Sequence, residues 1–303
     1  SYLLQNEYRQ SLENSKITSD FSMLIGSEGT KSHFFYNQVG SLNEKIDFVL
    51  NLQDVKDDNY LKTHKLSETS PLIKSESLLN SKLDLDWRID NKTKLNSSIL
   101  IYEDLSKGYH DRYQYIFPNF NFSKNIDINK KYNGSFDFRS YGFHKNYNTN
   151  VTEAIYNNDF LFSSFDFINK NGIVTNYDVL LKNTNIYSQN SLNFNENTEY
   201  NLYGIFKIDG SYPLQKKMDQ YTNILKPKMS FRYSPNGNRN ITSKDIRLNY
   251  DNVYSLNRIG SNYQVEGGES LTLGLEFQRE NNKNERIFDL NLANVIKIKK
   301  SND

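Results

Sequence analysis

The sequence predicts an all-β protein, an antiparallel transmembrane β-barrel of which these 303 residues make up a part of roughly fourteen strands. Two-residue alternation runs almost from end to end, aromatic content is high, and the breaks between alternating runs carry turn chemistry. The clearest run is Leu83, Leu85, Trp87 and Ile89, interleaved with Lys82, Asp84, Asp86, Arg88 and Asp90. A helix would spread those charges around its whole circumference, whereas a strand puts them on one face and the apolar residues on the other. Tyr 22 and Phe 19 against a single Trp suit strands and interfacial girdles alike.

The other elements follow in chain order. Ile17/Phe21/Met23/Ile25, Ile46/Phe48/Leu50/Leu52 and Leu95/Ile99/Ile101 predict strands in the first third. Tyr177/Val179/Leu181 and Tyr200/Leu202/Phe206/Ile208 predict them in the middle. Met229/Phe231/Tyr233, Leu271/Leu273/Leu275/Phe277 and Phe288/Leu290/Leu292 predict them toward the end. Asp90-Asn91-Lys92, Asn133-Gly134, Asn169-Lys170-Asn171-Gly172 and Asn195-Glu196-Asn197 are short, polar and tolerant of positive φ, as turns require. Three longer connectors are expected, around Asp54–Glu76, Tyr141–Ile155 and Ser234–Gly268. Short turns alternating with long loops match the two ends of an outer-membrane barrel.

Composition excludes several classes. The 37 basic and 36 acidic residues nearly cancel, so no cationic surplus exists for nucleic acid. No run approaches the roughly 20 apolar residues of a spanning helix. The mean hydropathy of −0.76 is low, which a barrel permits because only alternate residues meet lipid. A soluble, Asn-rich β protein such as an adhesin satisfies the same composition and stays open on these grounds. Without cysteine there is no disulfide and no thiolate metal site. The opening SYLLQNEYRQ lacks the charged start and apolar core of a signal peptide, and the chain stops just after a strand-like run; a piece of a longer protein is expected.

Residues for chemistry are sparse. His33, His64, His110 and His144 lie far apart, and no two of them share a metal-ligand spacing. Asp54, Asp57 and Asp58 lack a glycine-centred calcium loop. Gly267-Gly268 is too short to cradle phosphate. Neither catalytic residues, metal nor cofactor are expected. Parity instead selects Asp84, Asp86 and Arg88 as inward residues lining a hydrated lumen, where solvating the interior is the plain role of each. Beyond Tyr233-Ser234-Pro235, which would stop a strand, the polar stretch is too long for a turn. It is either a disordered external loop or a loop folded inward, with Arg247, Arg258 and Glu266 pairing to the polar wall. Pro213 and Pro227 cannot donate to a ladder and are expected at strand starts or weakened edges.

Between Tyr212 and Phe277 the sequence becomes specific. Tyr212-Pro213-Leu214, Leu225 to Pro227, Tyr233 to Pro235, Asn257-Arg258 and Val265-Glu266-Gly267-Gly268 occur in an order and spacing that resemble the barrel domain of the LptD family. Upstream, Leu4 to Arg9 and Asp57-Asp58-Asn59-Tyr60-Leu61 resemble its early barrel. The resemblance implies an outer-membrane translocon that inserts lipopolysaccharide, with sugars passing through the lumen and acyl chains leaving by a lateral seam. It further implies a barrel of about 26 strands and a periplasmic jelly-roll domain before this stretch. The implied partners are an LptE-type lipoprotein plug and an LptA-type periplasmic bridge. A porin or plugged nutrient receptor is the alternative outer-membrane reading.

Overall fold

A computed structural model describes residues 2–26, 29–128, 132–237, 248–259 and 262–299. The strands are β1 (Tyr2–Ser11), β2 (Ser15–Gly26), β3 (Gly29–Asn43), β4 (Ile46–Val55), β5 (Leu78–Arg88), β6 (Thr93–Asp104), β7 (Tyr113–Ile126) and β8 (Gly134–Tyr147). They continue as β9 (Val151–Ser164), β10 (Phe167–Ile168), β11 (Val174–Gln189), β12 (Glu199–Ser211), β13 (Leu214–Lys217), β14 (Tyr221–Ser234), β15 (Gly268–Asn281) and β16 (Arg286–Lys299). Among the described residues helix is confined to α1 (Tyr60–Thr63), a 3-10 turn at Leu66–Glu68 and α2 (Tyr109–Arg112). Neighbours in sequence are neighbours in the antiparallel sheet, from β1 at one end of the order to β16 at the other. Only β10 and β13 lie off this path, paired to β11 and β14, so the path itself has the strand number expected from spacing.

The chain forms two compact units. The first comprises Ser1–Lys124, Arg139–Tyr156 and Asn185–Tyr200. Across β4, β5, β6 and β7 its register aligns Ile46, Trp87, Leu95 and Phe122 in one row and Phe48, Leu85, Ser97 and Phe120 in another, with Leu50, Leu83 and Ile99 beyond. On the opposite face lie Asp47, Asp86, Asn96 and Asn121, then Val49, Asp84, Ser98 and Asn119. Alternation is therefore continuous between strands, because a one-residue slip would exchange the faces. Where the β6–β7 register does slip, after Ser98, the extra residue on β7 still leaves Tyr115 opposite Ile101 on the apolar side.

The second unit comprises Asn125–Phe138, Asn157–Thr184 and Asn201–Asp303. Here β14, β15 and β16 align Phe231/Leu271/Ile296, Met229/Leu273/Asn294, Pro227/Leu275/Leu292 and Leu225/Phe277/Leu290 on one face. The other face carries Arg232/Ser270/Lys297 and Ser230/Thr272/Val295. Within each unit a small core of buried apolar side chains gathers around a long connection. In the first it is Phe35, Val55, Tyr60, Leu61, Leu66, Ile73, Leu79 and Leu105; in the second, Leu180, Tyr203, Ile205 and Val265.

Two expectations are corrected. Tyr141–Ile155 is not a long connector: β8 runs through Tyr147, Asn148 and Thr149 turn with positive φ, and β9 begins at Val151. The strand hid because Ser140, Gly142, His144 and Asn146 are polar or small where alternation looks for apolar residues. Leu225 to Pro227 is likewise no strand start, since β14 opens at Tyr221. Pro227 is tolerated because its carbonyl accepts from the Tyr212 N–H, and a residue's N–H points to the same neighbour as its carbonyl. The missing donor thus falls at the Tyr212-Pro213 break between β12 and β13, where the ladder is already interrupted. Tyr233-Ser234-Pro235 does end β14, and Gly268, at φ 94°, opens β15.

Candidate functional site

In the first unit the polar face forms a groove of about 570 Å³ lined by Asp47, Asp84, Asp86, Asn96, Ser98 and Asn119, among others. Strand parity brings these side chains together from β4 to β7. Asp47 pairs with Arg88 at 2.9 Å and Asp84 with Lys82 at 2.6 Å, while Asn119 donates to the Ser98 hydroxyl at 2.8 Å. These pairs are solvated; exposed ion pairs contribute roughly 0–1 kcal/mol each, so they organise the groove more than they stabilise it. The groove is an array of carboxylates, amides and hydroxyls suited to hydroxyl-rich ligands and water.

The connection after β4 packs on this same side. Tyr60 and Leu61 of α1, both 0% exposed, lie with Leu66 against Phe35 and Val55. At their edge the Tyr60 hydroxyl shares a 2.7 Å hydrogen bond with the Ser22 hydroxyl, which meets His33 Nδ1 at 2.7 Å; His33 Nε2 lies 3.2 Å from Asp20. Burial raises the Tyr60 phenol above its ordinary range. Asp20, Ser22 and His33 have the residue types of a hydrolytic triad, but Ser22 is 0% exposed and its hydroxyl is committed to Tyr60. The cluster holds the loop. Sequence spacing missed it because Asp20 and His33 meet across the β2–β3 hairpin, with His33 opposite Ser22 in register.

In the second unit the described residues 248–259 and 262–267 of the β14–β15 connection pack onto the polar face. Arg258 makes a two-pronged pair with Glu266, at 2.7 and 2.9 Å, and donates to the Ser270 hydroxyl at 3.0 Å. Buried wall cations then hold the loop backbone. Lys182 donates to the Asn262 carbonyl at 3.0 Å and Lys207 to that of Tyr254 at 3.1 Å. Arg232 donates to the carbonyls of Leu256 and Glu266 at 2.7 and 2.6 Å. Two of the three also have carboxylate partners within the unit, Lys182 in Asp159 and Lys207 in Asp178 and Asp209. Burial acts to raise the Glu266 carboxyl, yet Arg258, with Arg232 and Lys297 nearby, holds it below the ordinary carboxylate range. Tyr254 seats against the backbone at Gly274, where a Cβ would collide with its hydroxyl.

Of the residues singled out by sequence, Asp84 and Asp86 line the first groove and Arg88 pairs with its Asp47, while Arg258 and Glu266 form the second loop's central pair. Asn257 donates to the Gln264 carbonyl at 2.8 Å, closing the loop on itself. Tyr212, Pro213, Leu225, Pro227, Tyr233 and Pro235 shape β12 to β14 and its end, while Gly267 and Gly268 lead into β15. Arg247 lies outside the described residues. Lys182, Lys207 and Arg232 were not foreseen; alternation puts each on the polar side of its strand beside other charged residues, and nothing in the spacing pairs them with a loop carbonyl.

A comparison with curated proteins finds no match. The family model described as LptD: LPS transport system D matches residues 29–303. With that match over most of its length and an antiparallel sheet of alternating faces, the chain belongs to the LptD family of outer-membrane lipopolysaccharide-transport proteins.

Proposed function

We propose that this chain forms part of the wall of a lipopolysaccharide translocon of about 26 strands, preceded in the whole protein by a periplasmic jelly-roll domain. Lipopolysaccharide arrives from an LptA-type bridge, its sugars cross along the polar face past Asp84, Asp86 and Arg88, and its acyl chains leave by a lateral seam. An LptE-type lipoprotein plugs the lumen. Physics requires such a division, since sugars need water and hydrogen-bonding partners, whereas acyl chains must avoid them. No bond is made or broken; the wall's work is solvation on one side and exclusion of water on the other.

The observation that carries this reading is the separation of a mainly apolar from a mainly polar face across β4 to β7. Asp47, Asp86, Asn96 and Asn121 sit back to back with the row of Phe48, Leu85, Ser97 and Phe120. In the full-length protein, a photo-crosslinking side chain at Asp86 is expected to capture the saccharide portion of lipopolysaccharide during transport, and one at Leu85 to capture only membrane acyl chains. Capture of acyl chains at both positions would overturn it. Independently, Leu85→Arg should destabilise insertion by about 2–4 kcal/mol, as a charge near the bilayer midplane does; Asp86→Arg should leave insertion intact, read by heat-modifiable migration.

A further inference from the structure

We propose a binding seat for a membrane phospholipid phosphate on the apolar face of the second unit, formed by Lys216, Asn223 and Arg279 with Tyr221. The inference rests on the reading that this face meets lipid, and it concerns a ligand other than the transported one. In register, Lys216 of β13 lies opposite Asn223 of β14, which lies opposite Arg279 of β15. Alternation along β14 is unbroken from Tyr221 to Ser234, so Asn223 shares its side with Leu225, Met229 and Phe231, away from the packed loop. The row is therefore the border of an apolar band: next to it come Leu214, Leu225, Phe277 and Leu290.

Arg279 is oriented. Its Nε donates to the Asn223 amide oxygen at 2.8 Å, and its guanidinium lies 5.4 Å from the centre of the Tyr221 ring. These contacts leave the terminal nitrogens as a fork without an acidic partner among the described residues. Lys216 is exposed and likewise unpaired. The two cations stand two strands apart, about 10 Å at ordinary strand spacing, with a neutral amide between them. Two cations held together without an anion on an apolar border call for one; a phosphodiester accepts the guanidinium fork in two-pronged fashion. Its acyl chains would lie along Leu214, Leu225, Phe277 and Leu290. The row also sits at the short-connection end of the unit, beside 212–220 and 282–285 and opposite the long 235–267 connection. In outer-membrane barrels that end faces the periplasm, so the seat takes a lipid of the periplasmic leaflet.

The test uses the full-length protein in micelles doped with phosphatidylglycerol or, separately, with a galactosyl diacylglycerol of the same chains, bound lipid being counted by native mass spectrometry. The wild type should retain the phospholipid and not the galactolipid. Lys216→Gln combined with Arg279→Gln should weaken phospholipid retention about tenfold, the scale of a lost charge-assisted fork. Arg279→Lys should fall between, because the charge stays and the fork goes. Lys217→Gln, one residue on and facing the other side, should change nothing, and millimolar inorganic phosphate should not displace the lipid. Equal retention of both lipids by the wild type, or an equal loss on Lys217→Gln, would overturn the proposal. The wild-type lipid comparison decides even if the double variant fails to fold. Because these variants lie away from Asp84 and Asp86, saccharide capture at Asp86 reports separately on the transport reading.

Discussion

Both long connections fold onto a polar face, but different physics holds each in place. The 56–77 connection is fastened chiefly by area removed from water, with Tyr60, Leu61 and Leu66 buried against Phe35 and Val55; the relay from Tyr60 through Ser22 and His33 to Asp20, and the ion pairs of Asp57 with Lys31 and Asp58 with Arg112, hold its edges. In the described residues of the 235–267 connection the buried apolar side chains are Val253 and Val265, with Leu256 packed beside the core; cations of the wall bind its carbonyls, and one internal ion pair locks it. A loop fastened chiefly by apolar area depends less on charge and pH. One fastened by charge depends on every partner staying ionised and in place. The difference shows that inward folding of a loop does not imply one mechanism of retention, nor one mechanism of release.

The largest expected effect tests the charged fastening. Arg258→Met strands Glu266 on a buried surface, and loss of one partner from such a pair costs about 3–5 kcal/mol; hydrogen exchange of 248–259 should speed up while that of 56–77 stays unchanged. Leu61→Ala should do the reverse, loosening only 56–77 at a cost of about 2–5 kcal/mol. If either variant loosens both connections, the two are coupled and the contrast fails. Next comes Gly274→Ala, which pushes Tyr254 from its seat; overpacking of this kind costs about 1–3 kcal/mol, visible as faster exchange around Tyr254 without loss of the sheet.

Acidity sharpens the comparison further. The Glu266 carboxyl is held below its ordinary range in the folded loop. Its contribution is therefore present above the unfolded value of about 4.3 and is lost as pH falls through the depressed folded value. Exchange of 248–259 should accelerate over that window in the wild type, and an acid limb equally strong in Glu266→Gln would refute the assignment. The smallest effect is expected for Tyr60→Phe, which removes one hydroxyl partner of Ser22 for about 0.5–1.5 kcal/mol. It also removes the phenol whose raised pKa makes the 56–77 loop lose stability as pH climbs above about 10.

Much of this was legible in the residues themselves. Leu83 to Asp90 states its two faces outright, and the register across β4 to β7 keeps them. Tyr233-Ser234-Pro235 and Gly268 bound the second long connection, and Arg258 and Glu266 were recognisable as its polar anchors. The strands β8 and β9 were not, because Gly142, His144 and Asn146 carry no apolar periodicity, and Pro227 read as a start because its tolerance depends on a break in the neighbouring strand.

Side-chain alternation is a property of the backbone alone, repeating every two residues whatever the neighbours are. For that reason the sequence by itself determined the all-β class, the two faces and the position of most turns. Which cation meets which carbonyl was decided only by the tertiary structure. Lys182, Lys207 and Arg232 stand on separate strands and find Asn262, Tyr254, Leu256 and Glu266 in a single loop. His33 finds Asp20 only across a hairpin. Such meetings depend on register and loop path, to which spacing along the chain is blind.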